Sequence, residues 1–174
     1  PGNVYLGLVH RLDRPVGGAM VFAKTSRAAS RLSEQIRKGE LHKAYIAVLH
    51  GEPEQSSGML LNYLVKDSKS NTVSVVPSHL KGKKASLDYT VKSSRDGLSL
   101  VSIGLHTGRP HQIRVQFASA GYPLYGDQKY GPSLNRPGMQ LALWSMEIGF
   151  VHPTLKQYIA FRSSPPATYP WNLF

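Results

Sequence analysis

Ala85-Ser86-Leu87-Asp88-Tyr89-Thr90-Val91 and Leu98-Ser99-Leu100-Val101-Ser102-Ile103-Gly104-Leu105 flank the turn-like Ser94-Arg95-Asp96-Gly97. Both runs are rich in β-branched and apolar residues, and an Asp-Gly step between such runs is a hairpin signal. Val101, Ile103 and Leu105 alternate toward one face, the period of a half-buried strand. Ala44-Tyr45-Ile46-Ala47-Val48-Leu49 reads as another strand, bounded by Lys43 and Gly51. Gln140 to Phe150 reads as a further one, with Ala142, Trp144, Met146, Ile148 and Phe150 on one side. Helical signals are fewer. Thr25 or Ser26 can cap a helix that runs to Gly39, with Ala29, Leu32 and Ile36 as its core stripe. A second helix is expected from Pro110 to Ala120, burying Ile113, Phe117 and Ala120 and leaving Arg114 to the side. Many strands and few helices predict an α+β domain built on a mixed, mostly antiparallel β-sheet with flanking helices and loops.

The 174 residues suffice for one well-buried core and carry a formal net charge of +11. Both halves share that excess, so it is a property of the domain and not of a tail. Such a balance serves solubility at least, and it also fits a nucleic acid or another anionic surface. No apolar stretch approaches the roughly 18 residues of a membrane span, and no signal peptide is read. Cysteine is absent, which removes disulfides, thiolate metal sites and cysteine nucleophiles and points weakly to the cytoplasm. The glycine pattern of a phosphate-binding P-loop is missing around Gly82-Lys83-Lys84, and no serine lies in a nucleophile elbow. His106 and His111 are five apart with no acidic cluster, so no metal site is expected.

Three segments could carry chemistry. Val9-His10-Arg11-Leu12-Asp13-Arg14 sets one carboxylate between two guanidiniums, ahead of Gly17-Gly18 and the strand-like run Ala19 to Ala23. An Asp in that setting is either half of a surface ion pair or an ionised nucleophile or base working on a polyanion. Thr107-Gly108-Arg109-Pro110-His111-Gln112-Ile113-Arg114-Val115 leads from a strand into a helix whose first amides suit an anion, with Arg109 and His111 near it. The alternative is a helix cap with incidental cations. Gly121 to Gly131 is dense in tyrosine and glycine, fitting either base stacking or plain packing against a sheet. The basic loops Ser78–Lys84 and Gly131–Gly138 are either mobile substrate contacts or ordinary surface loops.

Taken in this order, these segments resemble a pseudouridine synthase of the RluA type. The likeness runs from Leu8 to Pro153 and includes His10-Arg11-Leu12-Asp13, Lys43-Ala44-Tyr45, the Thr107 to Val115 stretch, Gly121 to Gly131 and Phe150-Val151-His152-Pro153. The resemblance implies a cofactor-independent, metal-free enzyme that isomerises uridine in RNA to pseudouridine. It implies Asp13 as the essential carboxylate, Tyr45 as the tyrosine against the target base and Arg114 as the cation paired with Asp13. Arg11 becomes the residue filling the gap left by the extruded uridine, and Arg14, Arg109 and His111 become RNA contacts. The implied partner is an rRNA or tRNA stem-loop with a flipped-out uridine, met by a cytoplasmic monomer.

The chain departs from the family pattern in places. Val16-Gly17-Gly18 stands where many relatives carry a serine before the glycine, and Trp144 where a histidine is frequent. Relatives also begin with further strands bearing a Lys-Pro-x-Gly segment. The expected organisation is therefore a single catalytic domain over 1–174, N-terminally truncated and without an S4-like RNA-binding module. Two other functions fit parts of the sequence: a noncatalytic RNA-binding domain on the same fold, and a metal-free hydrolase pairing Asp13 with His10 or His111.

Overall fold

Asp96 and Gly97 both adopt positive φ, 53° and 74°, the requirement of a two-residue turn whose twist matches the strands it joins. In the computed structural model, which describes residues 4–174, this turn belongs to a sheet that fills most of the chain. The first elements are β1 (Gly7–Leu8), β2 (Gly17–Gly18), β3 (Phe22–Ala23), α1 (Ser26–Lys38), β4 (His42–His50) and β5 (Ser57–Asp67). They are followed by β6 (Thr72–Val76), β7 (Lys83–Arg95), β8 (Leu98–Leu105), α2 (Gln112–Ser119), β9 (Leu143–Val151) and β10 (Tyr158–Arg162). The strand order is β10-β9-β4-β8-β7-β5-β6, with β2 joining β9 to complete an eight-stranded sheet. Every pairing is antiparallel except β2 with β9. The mixed, mostly antiparallel α+β architecture is the expected one.

Helix α1 follows its sequence signals. The Thr25 hydroxyl accepts the Ala28 amide at 3.1 Å, and Gly39 ends the helix at φ 75°. Leu32 is buried, with Ala29 and Ile36 beside it, against Ile148 and Phe150 of β9. Helix α2 packs Ile113 and Phe117 onto Tyr45, Ala47, Leu143 and Val101. Tyr45, Leu143 and Ile148 share one face of the sheet, so both helices lie on that face and leave a cleft between them. Val48, Leu98 and Ala142 point the other way, toward the C-terminal Trp171, Leu173 and Phe174.

Four expectations need correction. Strand β9 begins at Leu143, and its register against β4 jumps from Ala44↔Glu147 to Tyr45↔Ser145. The bulge leaves Met146 without an opposite and reverses the alternation, so Leu143 and Ser145, not Trp144, share a face with Ile148 and Phe150. Helix α2 starts two residues late, because His111 takes the left-handed conformation at φ 50° and Pro110 stays outside. Arg114 is not at the side of that helix: Gln112 through Phe117 are all buried. The run from Ala19 to Ala23 contributes only the two residues of β3; Ala19 instead bonds through its amide to the Ser145 carbonyl, and Val21 to His10.

The stretch from Gly131 to Gly138 is anchored through Asn135. Its buried amide donates to the carbonyls of Leu124, Asp127 and Gly131 and accepts from the Gly126 amide at 2.6 Å. Asn135 thereby pins the loop that carries Asp127.

Candidate active site

Asp13 sits in the turn before β2. The Val16 amide closes this turn on the Asp13 carbonyl at 2.9 Å, and the Arg14 amide donates to Oδ1 at 2.8 Å. Residues 17 to 19 then lie directly on β9. A Cβ at Gly18, already at φ +120°, would fall 2.3 Å from the Ser145 carbonyl oxygen, so only glycine fits there. Ser145 stands opposite Tyr45 on β4, and its hydroxyl donates to the Ala19 carbonyl. This seam brings the Asp13 turn and Tyr45 to the wall of one cleft of about 600 Å³.

The far wall comes from α2. Arg114 is nearly buried, at 8% side-chain exposure, and spreads its three nitrogens over two carboxylates. Nη1 donates to Oδ2 of Asp13, while Nε and Nη2 grip Asp127 at 2.8 and 2.7 Å. The planar guanidinium suits such a fork, and charge-assisted bonds of this kind are the strong ones. Asp127 is fully buried and also accepts the amides of Lys129 and Tyr130, both at 3.1 Å. The Tyr130 ring lies 5.1 Å from the guanidinium carbon. Burial alone opposes the charge on Arg114, but the hydrogen bonds and charge of Asp127, then of Asp13, outweigh it and push its pKa up.

His111 links the two sides. Its Nδ1 meets the Tyr130 hydroxyl at 2.6 Å and its Nε2 lies 3.7 Å from Oδ1 of Asp13. The left-handed backbone at this residue turns the ring toward those partners. Burial pushes its pKa below the usual range, against the pull of the Asp13 charge and with the help of Arg114, Lys129 and Lys66. Tyr45 is buried at 8% exposure, and burial raises its pKa despite a hydrogen bond with Ser145. It therefore faces the cleft as a protonated phenol at neutral pH.

The remaining sequence candidates border the same cleft in different ways. Arg11 and Arg14 are exposed, and among the described residues neither guanidinium pairs with Asp13. The adjacent cations of the sequence are thus not the partners of the carboxylate; the Arg14 backbone and Arg114 are. Arg109 donates through Nε to the Lys84 carbonyl at 3.0 Å. Asp127 and Tyr130, outside the sequence candidates, complete the site. In so acid-poor a chain, an Asp within the tyrosine- and glycine-dense Gly121 to Gly131 segment is a signal of the same kind as Asp13. Among the described residues, no group of three or more His, Asp or Glu side chains is placed to hold a metal ion. No helix there is long and apolar enough to cross a membrane.

Chemically, Asp13 is the single carboxylate on a wall that also bears Arg11, Arg14, Lys43, Lys66, Arg109 and Arg114. With 23% of its side chain exposed, it is held from behind yet open to a ligand. The site can draw in a polyanion and present one aimed oxyanion to it.

The chain is similar to known proteins. A ribosomal large subunit pseudouridine synthase C of Buchnera aphidicola subsp. Baizongia pistaciae (strain Bp) is 34% identical over 170 residues, covering 91% of this chain and 53% of that protein. The uncharacterized RNA pseudouridine synthase YlyB of Bacillus subtilis (strain 168) is 33% identical over 160 residues, covering 92% of this chain and 52% of its own. The chain thus spans about half the length of the curated relatives it matches. The solved structure of human RNA Pseudouridylate Synthase Domain Containing 1 superposes with a TM-score of 0.81 at 24% identity, covering 94% of this chain and 71% of that one, and so shares its fold. Residues 1–119, which hold Asp13, Tyr45 and Arg114, match the RNA pseudouridylate synthase family, and to that family this chain belongs.

Proposed function

We propose that this chain converts uridine in RNA to pseudouridine, with Asp13 as the catalytic residue. The observation that carries the reading is the Asp13–Arg114 pair: a half-buried carboxylate, fixed by a guanidinium that is itself fixed by Asp127, in an otherwise cationic cleft. Chemistry at a glycosidic bond requires the nucleotide to leave its stack, which costs a few kcal/mol. Tyr45 offers the extruded base an apolar wall. Arg11, exposed at the rim, fills the space the base vacates. Asp13 then acts on the nucleoside as N1 releases C1′; the base turns, C5 bonds to C1′, and the proton lost from C5 is balanced by one gained at N1. Atoms are conserved and no redox step is needed. Arg14, Arg109 and the basic surface add affinity that falls with salt.

Large-subunit rRNA is the RNA to test first, given the naming of the relatives, and a cytoplasmic monomer with one catalytic domain over 1–174 is the form proposed. The test compares pseudouridine maps of rRNA incubated with the wild-type chain and with Asp13→Asn. The wild type should introduce pseudouridine and the variant none, while both bind RNA with similar affinity. Turnover retained by Asp13→Asn would sink the assignment.

A further inference from the structure

Two polar side chains in the cleft have no part in the chemistry above. Lys43 precedes Tyr45 by two residues on β4, so both project from the same face, about 7 Å apart along the strand. Its ammonium is half-buried, yet among the described residues it has neither a carboxylate nor a hydrogen-bond acceptor. Gly108 lies beside this ammonium with no side chain to cover it: a Cβ there would fall 3.2 Å from Nζ. The second group is His10. Its Nε2 accepts the Val21 amide at 3.0 Å, so the neutral ring carries its proton on Nδ1. Burial and the neighbouring charge of Lys43 both hold its pKa down, and burial does the same to Lys43.

A desolvated cation without a counter-charge is unfavourable, and the protein leaves it so where a ligand can supply the charge. A neutral base carbonyl would accept a hydrogen bond but not neutralise the ammonium; a phosphodiester does both. Arg11 and Arg14, hydrated at the rim, lack this bias.

We propose that Lys43 and the His10 Nδ1–H form a phosphate subsite, which holds a backbone phosphate next to the nucleotide presented to Asp13. The inference rests on the RNA reading above and extends it: Lys43 is a positioning residue that sets the depth to which the strand enters.

The test is a thermodynamic cycle in the Asp13→Asn background, which prevents turnover. Stem-loop RNAs carry the uridine mapped in the preceding experiment, with an uncharged methylphosphonate at the linkage 5′ or 3′ of it. Lys43→Met should weaken binding of the unmodified RNA about 10- to 100-fold, the range of one charge-assisted bond. Its salt slope should shrink by about 0.7. One of the two methylphosphonates should impose the same loss on the Lys43-bearing protein and none on the Met variant, and Lys43→Arg should restore part of the affinity. The thermal midpoint of Lys43→Met should be equal to or above that of the wild type, since an unpaired half-buried charge has been removed. Additive losses at both linkages, or a lowered midpoint with no change in salt slope, overturn the subsite. A wild-type chain that makes no pseudouridine overturns the reading beneath it and the subsite together.

Discussion

Replacing Asp127 by Asn keeps the shape of the side chain and removes the charge that anchors Arg114. In the wild type the carboxylate is fully buried and receives four donors: two from the guanidinium and the amides of Lys129 and Tyr130. Asn offers one acceptor oxygen, and its NH2 group must face donors on one side or the other. The guanidinium, at 8% exposure, keeps only Asp13 as a charge partner. Breaking a buried ion pair by removing one member costs about 3–5 kcal/mol. For a domain of this size each kcal/mol moves the thermal midpoint by about 2–4 °C, so Asp127→Asn should lower it by about 6–20 °C. Circular dichroism melting reads that shift directly. Glu34→Gln, which removes the exposed partner of Arg37 and Lys38, is the control and should leave the melt unchanged. Turnover by the folded variant, assayed well below its midpoint, should fall about 100-fold, the effect of a misplacement near 1 Å. A midpoint within 2 °C of wild type, a bound set by the ~6 °C minimum above, would refute the view that Asp127 holds Arg114.

Other perturbations probe the frame around the site. Gly126→Ala should destabilise by at least about 2 kcal/mol, seen as a lower denaturation midpoint, because φ is +79° and the new Cβ would fall 2.0 Å from the Gln140 carbonyl oxygen. Acid should weaken the fold through His10 and His111, whose pKa values burial holds below the ordinary 6.5. Below that pH the unfolded chain binds more protons than the native one, so their contribution is complete above 6.5 and is lost as the pH falls beneath it. Denaturant midpoints measured across that range should decline, and His10→Gln should flatten the decline; a flat wild-type profile would contradict it.

Features that depend on near neighbours were legible in the sequence. The Thr25 cap, the Gly39 stop and the Asp96-Gly97 turn each act within a few residues, and their chemistry admits few alternatives. Features created by distant segments were not. The late start of α2 follows from His111 turning its ring to Tyr130 and Asp13, and no local propensity asks a histidine for φ 50°. The stripe of Ile113, Phe117 and Ala120 leaves Arg114 at the side of its helix on pattern alone; its burial depends on two carboxylates that receive the guanidinium, one of them 101 residues away. The bulge at Met146 likewise has no signature in a run that alternates cleanly on paper. Two departures from the family pattern prove to be one adjustment. A Cβ at position 17 would sit 2.3 Å from the Trp144 ring, so the missing side chain and the large one occupy the same space.

The fork at Arg114 also bears on how the molecule comes to life. Its grip draws on the turn at residue 13, the helix at 114 and the loop at 127, and none of the three can orient the others alone. Such long-range closure is slow to nucleate, because chain entropy is lost before the contacts repay it. During synthesis, the Asp13 segment leaves the ribosome more than a hundred residues before its last support. The fork therefore works as a built-in timer: the carboxylate is fixed only when the chain has been made past residue 127, and the seam that seats its turn on β9 at Ser145 closes later still.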